Sequence, residues 1–286
     1  MTETNLDTNA VTVVRIQGLF AADLERLLKT ISRLKNSVTE SDIHEYRVAI
    51  TVLTSTLNLH SNVFKRLWVK DLITDLVLLS RLARKARSAD VMYQQVLAFS
   101  LDSEVEVQAA LQSTISRLND KRQSARSSFA DVIETEGFGI LIDSVAHRLG
   151  APNVRHSVLK LELAALDALL LRNSDDAVAQ FKVRLSSAKK NESRRKLHQL
   201  RLSAKKVRYA LDSLPGETDV LDLAREAQGT LGSLRDAESL VRWLEKWRRQ
   251  PSVTKLERHS IRAVVAAEEL RVKRLRQKFK KLRKAS

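Results

Sequence analysis

Residues 197–214 read LHQLRLSAKKVRYALDSL, and the reading of this stretch decides the fold. On a helix at ~100° per residue, Leu197, Leu200, Ala204, Val207 and Leu211 recur at i, i+3, i+7, i+10 and i+14. They form one apolar face, suited to packing on other helices. One position further on, His198, Arg201, Lys205 and Arg208 repeat the same spacing and make a basic stripe beside the apolar one. Lys189, Lys190, Arg194, Arg195 and Lys206 extend it. A face meant only for solvation mixes Glu with Lys for i,i+4 support. Between Arg194 and Tyr209 there is no acid. The stripe therefore reads either as a solvated face or as a row of phosphate-binding groups, since Arg forks bind phosphate oxygens bidentately and Lys binds them as a point charge.

Residues 43–57, IHEYRVAITVLTSTL, carry the pattern in weaker form. Ile43, Tyr46, Ile50, Leu53 and Leu57 repeat the apolar spacing, and His44 and Arg47 repeat the start of the stripe. Thr51 and Thr54 stand where the later copy has Lys205 and Arg208. The copies lie about half a chain apart, which reads as an internal duplication with one copy eroded.

Composition narrows the class. A net charge of +16 and a pI near 10.2 point to a polyanionic partner. The chain has 7 Gly and 3 Pro in 286 residues, far below the usual ~7% and ~5%. That excludes a turn-rich all-β fold and favours long helices. With no cysteine, disulfides and thiolate metal sites are excluded. The start MTETNLDTNA has no basic n-region, and no uncharged apolar run reaches the ~20 residues of a membrane span. A soluble, cytoplasmic protein is expected.

The architecture expected is all-α: two helical bundles from an internal duplication, related by a pseudo-two-fold, meeting at a basic groove. Residues 1–12 read as a disordered N-terminus, 13–150 as the first half and 153–286 as the second, with the break at Gly150-Ala151-Pro152-Asn153. Thr39–Asp42 reads as a helix start, and Gly137-Phe138-Gly139 as an interruption. Asn173–Asp176 reads as a loop, Lys189–Glu192 as a turn, Leu214-Pro215-Gly216 as a helix stop and Gly232 as a turn between helices. Arg271–Lys284, RVKRLRQKFKKLRK, holds nine basic residues in fourteen without an acid. Its Val272, Leu275, Phe279 and Leu282 make it amphipathic, so it reads as a last core helix with a basic back, a nucleic-acid contact or an anionic-surface contact.

The motif H-x-x-R-L-x-x-K-K-x-R-Y of His198–Tyr209, followed by L-G-x-L-R-D at Leu231–Asp236, resembles the CHAD family, the conserved-histidine α-helical domain. In the first half the family pattern is H-x-x-R-V-x-x-R-R-L-R, then R-D-x-D-V. This chain keeps His44, Arg47, Val48 and Leu53, with Thr51, Val52 and Thr54 for three basic residues. It keeps Arg87, Asp90 and Val91, with Ser88 for the first Asp. The resemblance spans roughly residues 20 to 280. It implies binding of inorganic polyphosphate and residence on polyphosphate or storage granules. The implied phosphate-binding residues are His44, Arg47, Arg87, Lys190, Arg194, His198, Arg201, Lys205, Lys206, Arg208 and Arg235. CHAD domains often occur beside a triphosphate-tunnel domain with an E-x-E-x-K signature. The nearest match, Glu104–Gln108, lacks the Lys, so a stand-alone CHAD protein is expected.

For His44 and His198 three readings stand: metal ligand, buried hydrogen-bonded imidazole, or phosphate contact. At i+3 and i+4 stand Arg and an aliphatic residue rather than a second ligand, which argues against metal. Arg87-x-x-Asp90 and Arg235-Asp236 read as arginines positioned by a local carboxylate. No G-x-S-x-G, P-loop or H-E-x-x-H is present. No catalytic residue, metal or cofactor is therefore expected, and the protein is expected not to be an enzyme. Two alternatives stand: a nucleic-acid binder, for which aromatics at 5% offer few stacking platforms, and a scaffold that uses the C-terminal helix on a granule or membrane surface.

Overall fold

The computed structural model describes residues 3–190, 193–211 and 218–285, with side chains for 9–188, 193–211 and 219–282. Eleven helices carry these residues: α1 (Glu3–Asn36), α2 (Glu40–Leu59), α3 (Arg66–Leu82), α4 (Arg84–Leu101), α5 (Val105–Ile133), α6 (Glu136–Gly150), α7 (His156–Leu159), α8 (Leu163–Lys190), α9 (Arg194–Leu211), α10 (Thr218–Trp247) and α11 (Lys255–Ala285). Among the described residues there is no strand, only a single antiparallel bridge between Phe64 and Val154. The fold is all-α, as the scarcity of Gly and Pro requires. No described helix is long and apolar enough to cross a membrane.

Helix starts follow the cap chemistry. The Thr39 hydroxyl accepts from Asp42 N at 3.1 Å, satisfying one of the free N–H groups at the start of α2. Thr135 does the same for Phe138 N at 3.2 Å. That cap places the break before α6 at Thr135, so Gly137 and Gly139 lie inside the helix rather than interrupting it.

Three other expectations are corrected. Asn173–Asp176 is not a loop but the interior of α8. Both Asn173 and Ser174 are buried there; Ser174 Oγ donates back to Leu170 O of its own helix at 3.4 Å, while Asn173 is bonded outside it. Asn173 exchanges hydrogen bonds with Asn62 at 2.8 and 2.9 Å and meets His60 Nδ1 at 3.2 Å. Gly232 is not a turn but the interior of α10, where the buried stripe Leu231, Leu234, Leu240, Leu244 runs through it unbroken. Residues 3–12 lie in α1 rather than in a disordered tail. Thr12 there is fully buried and donates to Leu161 O at 3.4 Å, and Ile16 and Phe20 continue the buried face. The turn at Lys189–Glu192 and the stop at Leu214-Pro215-Gly216 fall largely outside the described residues.

The chain divides into two compact units, each drawn from both halves of the sequence. The first comprises Met1–Arg84, Ser127–Lys182 and Lys205–Leu221; the second comprises Lys85–Arg126, Val183–Ala204 and Asp222–Ser286. These units do not coincide with the expected halves, 13–150 and 153–286. The break at Gly150–Asn153 is real, but Lys65 N donates to Asn153 O and Arg155 N to Val63 O, both at 3.0 Å. These bonds hold both sides of the break in the first unit, while α5, α8, α9 and α10 are each shared between units.

The core of the first unit is aromatic. Phe20 meets Phe64, Phe64 meets Trp68, and Tyr46 meets Phe129, with ring centroids 4.9–5.8 Å apart. The Tyr46 hydroxyl donates to Leu79 O at 3.1 Å. The core of the second unit is built from Leu111 and Leu118 of α5, Leu240 and Leu244 of α10, and Ile261 and Val264 of α11.

The Asn173 network carries a stability prediction. Asn173→Ala leaves Asn62 and His60 without their buried partner and lowers the unfolding free energy by about 1–3 kcal/mol. Asp175→Ala, two positions on and exposed, changes it by less than about 0.5 kcal/mol. Chemical denaturation of both variants checks the contrast.

Candidate functional site

The site is built on α9. Arg194–Leu211 contains neither Gly nor Pro and is rich in Leu, Lys, Arg and Ala, all good helix formers. Every residue of its apolar stripe is buried: Leu197, Leu200, Ala204, Val207 and Leu211. Burial of that face fixes the helix rotation. The residues one position on then have no choice but to stand at the edge of the core, and Arg201, Lys205 and Arg208 are half-buried there.

In the second unit this edge opens into a recess of about 700 Å³. Leu197 of α9 and Leu231 and Leu234 of α10 form an apolar floor. Arg194, Arg195, His198 and Arg201 of α9, Arg235 of α10 and Arg276 of α11 form cationic walls. The one carboxylate in the lining is Glu238, which accepts from Arg276 Nη2 at 2.9 Å.

The electrostatics record the crowding of positive charge. Withdrawal of the His198 ring from water, and then the charges of Arg201 and Arg235, lower its pKa below the ordinary 6.5. Asp236 sits among Arg235, Arg201, Arg87 and Arg271. The residue as a whole is exposed, yet its packed neighbours desolvate the carboxyl and raise its pKa, against the pull of those four guanidiniums. Arg87 of α4 thus joins the same charge cluster. Beside it, fully buried Asp90 accepts from Arg126 Nη2 at 2.6 Å.

Of the sequence-derived residues, Arg87, Arg194, His198, Arg201 and Arg235 belong to the second unit. His44, Arg47, Lys205, Lys206 and Arg208 belong to the first. The side chain of Lys190, the last residue of α8, lies outside the described residues. In the first unit, Arg208 lines a separate recess of about 500 Å³ with Arg15, Arg26 and Asp23, its guanidinium 4.3 Å from the Tyr209 ring centroid. Lys206 donates to Asn58 O at 3.2 Å, and Arg47 Nη1 donates to Ser80 O at 2.8 Å near the end of α3. Thr51 and Thr54 each donate to a carbonyl of their own helix, Arg47 O and Ile50 O, at 2.7 Å. His44 is exposed on α2.

Arg276 and Arg271 were legible only as part of a basic tail, yet they belong to this cluster. The signal that finds Arg276 is the offset seen on α9. A basic residue stands one position past an apolar stripe residue in Leu197-His198, Leu200-Arg201, Leu234-Arg235 and Leu275-Arg276.

The CHAD domain family model matches residues 18–245. The chain belongs to the CHAD family. Two solved structures share the fold. "PptA from Streptomyces chartreusis" is 16% identical, with 93% of this chain and 97% of that one covered, at a TM-score of 0.71. The CHAD domain from the plant Ricinus communis is 17% identical, with 95% and 91% covered, also at 0.71. No curated protein matches the chain. The CHAD match ends before α11 (Lys255–Ala285), so Arg276 enters the recess from a helix beyond the matched residues.

The CHAD motif histidine reports on its arginines. In an NMR titration His198 is expected to titrate below the ordinary 6.5. Arg235→Gln removes one like charge from beside it and raises the His198 pKa. The same variant removes an attractive charge from beside Asp236, whose pKa also rises. A His198 pKa unmoved by Arg235→Gln contradicts the charge cluster described here.

Proposed function

We propose that this protein binds inorganic polyphosphate in the arginine-lined recess of the second unit, by electrostatic capture and without chemical transformation of the ligand. One observation carries the reading. Five arginines and a histidine from three helices converge on a leucine floor with a single carboxylate in the lining. Like charges gathered there repel one another, and arginine cannot relieve the repulsion by losing its proton. A linear polyanion relieves it. Each phosphate offers oxygens that a guanidinium fork binds bidentately, and the apolar floor strengthens the attraction by lowering the local dielectric. The recess lining contains no Phe, Tyr or Trp, which suits an inorganic chain better than stacked bases. CHAD membership supports the same reading. On it, the protein resides in the cytoplasm at the surface of polyphosphate granules.

The test separates the recess from bulk charge. Replacing Arg201 and Arg235 together by Gln removes two charged contacts, each worth about 1.5–3 kcal/mol. Affinity for long-chain polyphosphate then falls by roughly 100-fold or more. Arg274→Gln with Lys281→Gln removes the same charge from the exposed back of α11. That pair loses far less, and low salt restores the loss because only screened attraction was removed. Equal losses from the two pairs, or duplex DNA bound as tightly per phosphate at ~0.15 M salt, would defeat the proposal.

A further inference from the structure

The second unit holds another cleft that the polyphosphate reading does not use. It is about 710 Å³, formed by α5 and the end of α10. Two of the chain's three tryptophans, Trp243 and Trp247, line it at i,i+4 on α10. Their rings stack with centroids 6.2 Å apart and planes at 17°. Trp247 is buried and Trp243 half-buried, so Trp243 is the ring that offers a face to a ligand.

Above the pair stand two cations at i,i+4 on α5. The Arg117 guanidinium is 4.3 Å from the Trp247 centroid, and Lys121 Nζ is 5.2 Å from that of Trp243. Lys246 on α10 adds a third. Among the described residues none of the three forms an ion pair. Asp120, on the rim, is an acceptor of the kind that sugar hydroxyls bond.

We propose that this cleft binds a nucleoside polyphosphate, with the base stacked on Trp243 and the phosphates on Arg117, Lys121 and Lys246. The combination selects the ligand. An inorganic phosphate chain has no use for a stacked tryptophan pair, and a ligand without charge has no use for three cations gathered beside a single carboxylate. Lys121 occupies the place above Trp243 that the base takes. Its flexible stem lets the ammonium leave the ring for a phosphate, exchanging a cation–π contact for a charge-assisted hydrogen bond. Packed neighbours partly desolvate the ammonium of the otherwise exposed Lys121 and lower its pKa, and a phosphate there would hold its proton more firmly. Arg117 keeps its place over the buried Trp247. A finite cleft with three cations suits a free nucleotide better than a strand, which needs a charged track along its backbone.

The experiment uses the full chain with ATP as probe and tripolyphosphate as the ligand that lacks a base. ATP is expected to quench tryptophan fluorescence saturably and to bind more tightly than tripolyphosphate. Trp243→Leu reduces ATP affinity roughly 5- to 150-fold, the factor that base stacking contributes, and leaves tripolyphosphate binding unchanged. Lys121→Gln with Lys246→Gln, both exposed, lowers ATP affinity at unchanged helicity, and decides the matter if Trp243→Leu disturbs packing. Equal binding of ATP and tripolyphosphate once the recess is disabled by Arg201→Gln with Arg235→Gln, or a lysine pair variant that binds ATP as the wild type does, overturns the proposal. So does an unphosphorylated oligoadenylate that binds more tightly than ATP, since it identifies single-stranded nucleic acid as the ligand. Tripolyphosphate binding lost in Arg201→Gln and Arg235→Gln but retained in the lysine pair variant belongs to the recess, so this proposal and the polyphosphate reading fail independently.

Discussion

A cation one residue past a buried leucine cannot leave the edge of the core, and the site depends on that constraint. Leu197, Leu200 and Leu234 are buried, so His198, Arg201 and Arg235 stand around the recess whatever the repulsion among them. The cost of gathering these charges shows in the groups able to respond. His198 is pushed toward its neutral form. Asp236 and Glu238 are the carboxylates held among the arginines. The arginines themselves cannot respond by deprotonation. A recess with this imbalance is suited to an anion supplied from outside. The burial that creates the imbalance also holds the site in place.

The two copies of the motif show what the constraint does when the charges are gone. Thr51 and Thr54 occupy half-buried positions on α2 and turn their hydroxyls back to their own helix at 2.7 Å. Arg47 of the same helix binds a carbonyl near the end of α3, a structural use of a residue that the motif assigns to phosphate. The first unit instead gathers Arg208 with Arg15 and Arg26, two arginines from α1 that the motif does not name.

Periodicity made the all-α class and the buried face of α9 legible, because both depend on neighbours within a few residues. What escaped depends on partners far along the chain. Asn173 reads as a loop residue until Asn62 and His60 satisfy its amide. His60 was unremarkable in the sequence; burial, and then the charge of Lys206, push its pKa down to about 4. Arg276 belonged to a run of basic residues, set apart only by its place one position past Leu275. An aromatic content of 5% hid the placing of two tryptophans one helical turn apart under two cations.

Arginine footprinting tests the recess most directly. The full chain is treated with an arginine-directed dicarbonyl reagent, with and without long-chain polyphosphate, and each site is read by mass spectrometry. Polyphosphate is predicted to protect Arg201, Arg235 and Arg276, while exposed Arg66 and Arg172 react as in the free protein. Uniform protection of all arginines, or protection confined to Arg274 on the exposed side of α11, would contradict the account.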